Sequence, residues 1–184
     1  MLDPRVARRV RLLALDVDGV LTDNGVYMGT SNGERLELKR FDIQDGLGLA
    51  LLHGTDIRVA IVSGRVSDAT ALRAAELNID DVIQDAGARK VPAIAALLAK
   101  HGMTWEDVAF VGDDLADVPV MQRVGLPIAV ANAVPEIKAI AAYVTEAEGG
   151  RGAVREAVTA VLRARDEYEA AVGRYLAKRD GRDA

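Results

Sequence analysis

Short, unbroken apolar runs recur along the chain and alternate with stretches of helical apolar spacing, a pattern that few folds accept. The runs are Arg11 to Leu15, Ile57 to Val62, Asp81 to Ile83, Val108 to Val111 and Pro127 to Val130. Between them, Leu47 to Leu52, Ala69 to Leu77, Ala93 to Leu98 and Val118 to Val124 place apolar residues at the interval of a helix face. A strand that is apolar on both sides must be covered on both sides. The alternation therefore predicts an α/β fold, a Rossmann-like parallel sheet with helices on both faces and ligands at the carboxyl ends of the strands. With 184 residues, 50% of them hydrophobic, the chain suits one core and not two, so residues 1–184 are expected to form a single domain.

Two segments depart from the alternation. Gly25 to Met28 and Glu34 to Phe41, joined through Gly29-Thr30-Ser31-Asn32-Gly33, read as a β-hairpin over about residues 25–41, inserted after the first apolar run. Neither the stretch after the hairpin nor the one after Ser63 has the surplus length of a cap domain, so the site is expected to be capless. The end of the chain, about 152–184, carries a helical stripe of Val154, Ala157, Val158, Val161 and Leu162 that fades into charge beyond Arg163. Its first half is expected to dock, and the remainder, through Arg182 and Asp183, to be a solvated helix that frays.

The net charge of -5 argues against nucleic acid or an anionic membrane as a partner. The absence of cysteine removes disulfides, thiolate metal sites and thiol nucleophiles, and fits a reducing compartment; a cytoplasmic location is expected. Asp16 interrupts the first apolar run too early for a signal peptide, and no apolar stretch is long enough to span a bilayer.

Chemistry-bearing residues stand where the apolar runs end. Asp16 and Asp18, two apart, follow the first run and precede a sharp turn at Gly19; in extended backbone, residues two apart share a face. Two carboxylates so placed oppose each other's ionisation unless a cation or a proton lies between them. Ser63-Gly64-Arg65, then Lys90, then Gly112-Asp113-Asp114 with Asp117 follow the later runs. Oxygen ligands in this number suit Mg2+, while a serine hydroxyl, backbone N–H groups at Gly19 and Gly64 and a lysine ammonium suit a phosphoryl group. Phosphoryl transfer needs a nucleophile, charge neutralisation and an acid for the leaving oxygen. Asp16 would attack phosphorus and Asp18 would protonate the leaving alcohol and then activate water. Asp113, backed by Asp114 or Asp117, would hold the metal, and Ser63 and Lys90 the remaining oxygens.

These motifs, in this order, resemble the haloacid dehalogenase-like superfamily. The resemblance implies that the metal takes the carboxylates of Asp16 and Asp113 and the backbone carbonyl of Asp18, and an acid at Asp18 points to a phosphatase. A closer resemblance runs through Thr22-Asp23, Tyr27-Met28-Gly29, Phe41, Asp45-Gly46, Ala60 to Arg65, Gly112 to Met121, Tyr143-Val144-Thr145 and Gly149 to Glu156. It is to the 3-deoxy-D-manno-octulosonate 8-phosphate phosphatases of lipopolysaccharide biosynthesis. That likeness implies a capless homotetramer in which hairpins pair and the glycine-rich C-terminal segment helps close a neighbour's site. Gly19, Gly64, Arg65, Asp45, Gly46 and Arg151 are then the substrate-binding candidates. Asn24, the Gln84 to Arg89 segment and the longer tail depart from the pattern and leave open a nine-carbon acid sugar 9-phosphate or another small phosphorylated metabolite.

Other readings remain for individual residues. Ser67 is the better helix N-cap than Ser63, Asp114 and Asp117 can begin a helix, and Asp45-Gly46 can be an ordinary helix entry. His53 and His101 precede Gly54 and Gly102 as at helix ends, and Trp105 suits packing. Two further functions use the same residues: a receiver-like phosphoacceptor domain, and an inert scaffold. The acid at Asp18 and the hairpin count against the first, and the complete acidic set against the second.

Overall fold

The computed structural model describes residues 2–79 and 81–181. Strands β1 (Leu12–Leu15), β4 (Arg58–Ser63), β5 (Asp81–Gln84), β6 (Val108–Gly112), β7 (Leu126–Ala129) and β8 (Tyr143–Val144) form one sheet in the order β5-β4-β1-β6-β7-β8. Every pairing in it is parallel. Strands β2 (Tyr27–Ser31) and β3 (Glu34–Leu38) form the separate antiparallel hairpin.

The apolar runs become central strands because they can be covered on both sides. All four residues of β1 and all five of β6 are buried. Leu12, Leu15, Ile61, Phe110, Leu126 and Ile128 lie among the largest fully buried side chains. Of the helices, α1 (Pro4–Ala7), α2 (Ile43–Ala50) and α8 (Tyr168–Arg179) each contact α7 (Ala153–Ala164). A second group contains α4 (Lys90–His101), α5 (Val118–Met121) and α6 (Pro135–Ile140), with α4 and α6 both against α5; α3 (Asp68–Glu76) touches the hairpin strand β3. Among the described residues no helix is long and apolar enough to cross a membrane.

The hairpin turns at Asn32 and Gly33, both with positive φ (53° and 82°). That backbone matches the twist of two antiparallel strands, and Asn-Gly adopts it at low cost. Both strands lie almost wholly exposed, with Tyr27, Met28, Leu36 and Leu38 uncovered. A bridge between Thr22 and Phe41 closes the base of the excursion.

The tail corrects one expectation. The segment beyond Arg163 is not a solvated helix: Asp166, at φ 62°, reverses the chain, and α8 folds back with Ala171 buried and Tyr168, Val172 and Tyr175 half-buried against the core. Arg165 fixes the corner by donating to the Val10 carbonyl at 2.7 Å. The expected fraying through Arg182 and Asp183 lies outside the described residues. Elsewhere, Gly54 and Gly102 do adopt positive φ after His53 and His101, and Trp105 is half-buried against the core.

Candidate active site

Strand register assembles the site. Leu15 on β1 pairs with Ile61 on β4 and with Val111 on β6. Asp16, whose N–H still bonds the Val111 carbonyl at 3.1 Å, therefore stands level with Val62 and Gly112. Ser63 and Asp113 follow one residue later on the flanking strands. Strand order reverses around β1, since the chain moves outward to β4 and β5 and then crosses to β6; loops diverge there and leave a crevice for ligands.

Lys90, at the first turn of α4, reaches into this crevice with only 4% of its side chain exposed. Its Nζ lies 2.7 Å from Asp16 Oδ1 and 2.6 Å from Asp117 Oδ1. Burial works against the charged ammonium, but the two carboxylates outweigh it and hold the lysine above its usual range. Asp117 is fully buried with both oxygens engaged, since its other oxygen accepts the Asp113 N–H at 3.0 Å.

Asp16 is pushed up to about 6, by burial first and then by the Asp117 charge, with Lys90 opposing both. Asp113 is pushed up further, to about 8, by burial and then by Asp16, Asp117 and Asp114. One oxygen of Asp113 is buried with no hydrogen-bond partner. Carboxylate oxygens of Asp16, Asp113 and Asp117 lie within 4.8 Å of one another. An all-oxygen set with a free buried oxygen and a surplus of negative charge fits a hard divalent cation. Asp16, Asp113 and Asp117 could each offer an oxygen to such an ion, and Asp113 has the one that is buried and unpartnered.

The turn that carries Asp18 is tightly drawn: Leu21 and Thr22 N–H groups both bond the Val17 carbonyl at 3.0 Å. Gly19 sits at φ 85°, and a Cβ there would overlap the Asp113 carboxylate, so two separate reasons demand glycine. Ser63 is buried, its hydroxyl accepting the Arg65 N–H at 3.1 Å, and Gly64 passes close to Ala88. Arg65 pairs with Glu37 at 3.1 Å and approaches Asp18 at 3.7 Å.

Two participants went unnoticed in the sequence. Lys39, just past β3, has no exposed side-chain surface and brings its Nζ 2.7 Å from Asp18 Oδ1. Asn132, in the turn after β7, donates to the Gly19 carbonyl at 3.3 Å and accepts the Gly149 N–H at 2.7 Å. The glycine-rich stretch thereby straps the Asp18 turn in place. Gly149 packs so closely on the Gly19 carbonyl that any side chain would collide, and the Gly150 N–H bonds the Val20 carbonyl at 2.9 Å. Neither signal was readable: a lysine in a charged strand and an asparagine in a turn are ordinary.

Two of the substrate-binding candidates, Asp45 and Gly46, serve helix packing. Asp45 is fully buried and caps α7, accepting N–H groups from Arg155 at 2.8 Å and Gly152 at 3.3 Å. Burial raises its carboxyl above the usual range despite these bonds. Gly46 lies beneath Arg73 and Leu77, where a Cβ would be 2.6 Å from the guanidinium. Their task is to join α2 to α7 and to α3. Arg151 points outward, half-exposed, 3.7 Å from Glu148. Asp114, by contrast with the buried acids around it, is exposed and caps the turn at Leu115–Asp117 by accepting the Leu115 N–H at 2.7 Å. Ser67 does stand at the N-cap of α3, and His101 contacts buried Asp81 at 3.0 Å, on β5, two strands away from β1.

Known proteins share this arrangement. A family profile described as haloacid dehalogenase-like hydrolase matches residues 67–157. The 3-deoxy-D-manno-octulosonate 8-phosphate phosphatase of Escherichia coli K12 is 46% identical over 170 residues, 92% of this chain and 88% of that protein. The chain belongs to the haloacid dehalogenase-like hydrolases. This hydrolase falls among the octulosonate phosphatases within them, and it is a phosphoric monoester hydrolase. The crystal structure of the Yersinia pestis phosphatase of that name matches with TM-score 0.84 and 45% identity, covering 90% of this chain and 88% of that one. The Moraxella catarrhalis phosphatase, determined with a magnesium ion, a phosphate ion and a KDO molecule, matches with TM-score 0.85 and 36% identity, covering 94% and 97%.

Proposed function

We propose that this hydrolase removes phosphate from 3-deoxy-D-manno-octulosonate 8-phosphate through an aspartyl phosphate on Asp16. The observation that carries the reading is the meeting of Asp16, Asp113, Asp117 and Lys90 at the strand ends, in a chain 46% identical to octulosonate phosphatases. An Asp16 oxygen attacks phosphorus, the bond from phosphorus to the sugar oxygen breaks, and Asp18 passes its proton to that oxygen. Asp18, now a carboxylate, takes a proton from water as the water attacks the aspartyl phosphate, releasing phosphate and restoring Asp16. Ser63 and the backbone N–H groups beside Gly19 and Gly64 bind the phosphoryl oxygens. Lys90 keeps Asp16 charged and aimed, because its ammonium bonds one oxygen and leaves the other to react.

The carboxylates of Asp16 and Asp113 and the backbone carbonyl of Asp18 would hold Mg2+. Neutralisation of the clustered carboxylates and of the phosphoryl oxygens is what the bound ion supplies. Arg65, at the mouth, suits the acid sugar's carboxylate.

The test is phosphate release across a panel containing octulosonate 8-phosphate and a nonulosonate 9-phosphate, with and without Mg2+. Preference for the octulosonate and loss of turnover after thorough chelation are expected. Equal turnover in the chelated protein would refute the reading, and preference for the nonulosonate would move the substrate to nine carbons.

A homotetramer completes the reading. The uncovered Tyr27, Leu36 and Leu38 share one face of the hairpin and form an apolar strip of a kind that subunit contacts bury. Among the described residues no cap covers the crevice, and in such a tetramer exposed Arg151 would be free to reach a neighbour's site. Light scattering at working concentration is expected to give four subunits; a monomer with undiminished turnover would overturn the shared site.

A further inference from the structure

The foot of the hairpin holds a charged pair that the proposed reaction leaves unassigned. Glu37 and Lys39 are two residues apart and turn to the same side, toward the crevice. Glu37 holds Arg65 at 3.1 Å. Lys39, a side chain with no exposed surface, stands 2.7 Å from Asp18 Oδ1 and 3.8 Å from Glu37 Oε1. Yet the Lys39 Nζ and Asp18 Oδ1 are buried without a partner in hydrogen-bonding geometry. Burying an ammonium this fully is costly, and a surface lysine of a hairpin would ordinarily extend into water.

We propose that Lys39 is a positioning residue that decides which oxygen of Asp18 carries the proton delivered to the leaving alcohol. An ammonium has three donors and no acceptor, so it can face only an unprotonated oxygen. With Lys39 against Oδ1, the proton of the acid resides on Oδ2, whose nearest charged neighbour is the Arg65 Nε at 3.7 Å, too far to bond it. Lys39 also ties the orientation of Asp18 to the closed seat of the hairpin. The inference rests on the reading of Asp18 as the acid, and its test separates the two.

The experiment compares kcat/KM on octulosonate 8-phosphate, whose alkoxide leaves only with a proton, with kcat/KM on p-nitrophenyl phosphate, whose leaving group needs none. In the Mg2+-loaded protein, Lys39→Met is expected to lower the first by roughly 10–100-fold and the second by less than about 3-fold, with the loss in kcat and not in KM. Lys39→Arg is expected to recover most of the difference, since it restores a donor facing Oδ1. Asp18→Asn is expected to show the same selectivity more strongly. If Asp18→Asn lowers both substrates alike, the assignment of the acid fails, and this inference with it. If Asp18→Asn discriminates and Lys39→Met lowers both substrates equally or neither, the positioning role alone is overturned. An equal loss is also what mere unseating of the hairpin produces.

Discussion

Asp16→Asn is expected to lower turnover of the sugar phosphate by roughly ten-thousand-fold or more, since removing a covalent nucleophile leaves only binding and electrostatics. Folding should not suffer. In the metal-free protein burial and Asp117 penalise the ionised Asp16, whose carboxyl is held up at about 6. The sign follows from linkage. A carboxyl raised in the folded state contributes stability below its unfolded pKa of about 4, and that contribution is lost as pH rises to about 6. Asparagine does not titrate, so above pH 6 the metal-free variant should be more stable than the parent by about 1–3 kcal/mol and melt at a higher temperature, and the gap should close toward pH 4. Adding Mg2+ reverses the order, because the ion stabilises whichever protein binds it more tightly, and the variant has lost a ligand. Thermal melts at pH 4, 6 and 8, with Mg2+ and with chelator, read all three effects. A variant that retains turnover refutes the nucleophile, and one that melts lower without metal at pH 8 refutes the electrostatic account.

Lys90→Met carries the second large effect, here on stability as well as activity. Lys90 is the cation that faces both Asp16 and Asp117, and removing it leaves two buried carboxylates with no charge between them. Breaking such a buried pair costs about 3–5 kcal/mol, enough to lower the melting temperature by roughly 10 °C in a chain of this size. The cost falls on ionised carboxylate, so it should be greatest at pH 8 and shrink by pH 5, below the value of about 6 to which Asp16 is raised. Turnover at pH 8 should drop by roughly 100–1000-fold, because Asp16 is no longer held charged and oriented. A melting curve unchanged at pH 8 would show that the lysine does not neutralise this pair.

The strand-end members of the candidate site, Asp16, Ser63 and Asp113, were readable because each stands at the end of an apolar run. Once β1, β4 and β6 are assigned as adjacent parallel strands, Asp16, Ser63 and Asp113 must meet within one residue of register. Lys90 was marked by an awkward position, a cation at a helix start. Asp45 and Gly46 misled because a polar residue and a glycine beside the motifs look the same whether they face a ligand or a neighbouring helix. Asp45 faces backbone N–H groups 107 and 110 residues away, and no local spacing encodes that.

Sequence alone determined the α/β class, the hairpin, the capless outline and which carboxylates stand at the strand ends, since periodicity and strand ends are local properties of the chain. Tertiary structure decided which acid sits behind Lys90, that Asn132 and the glycines strap the Asp18 turn, that α8 docks, and that Lys39 is buried against Asp18. Those depend on contacts between segments distant along the chain, where packing and the need to neutralise buried charge, and not spacing, choose the partner.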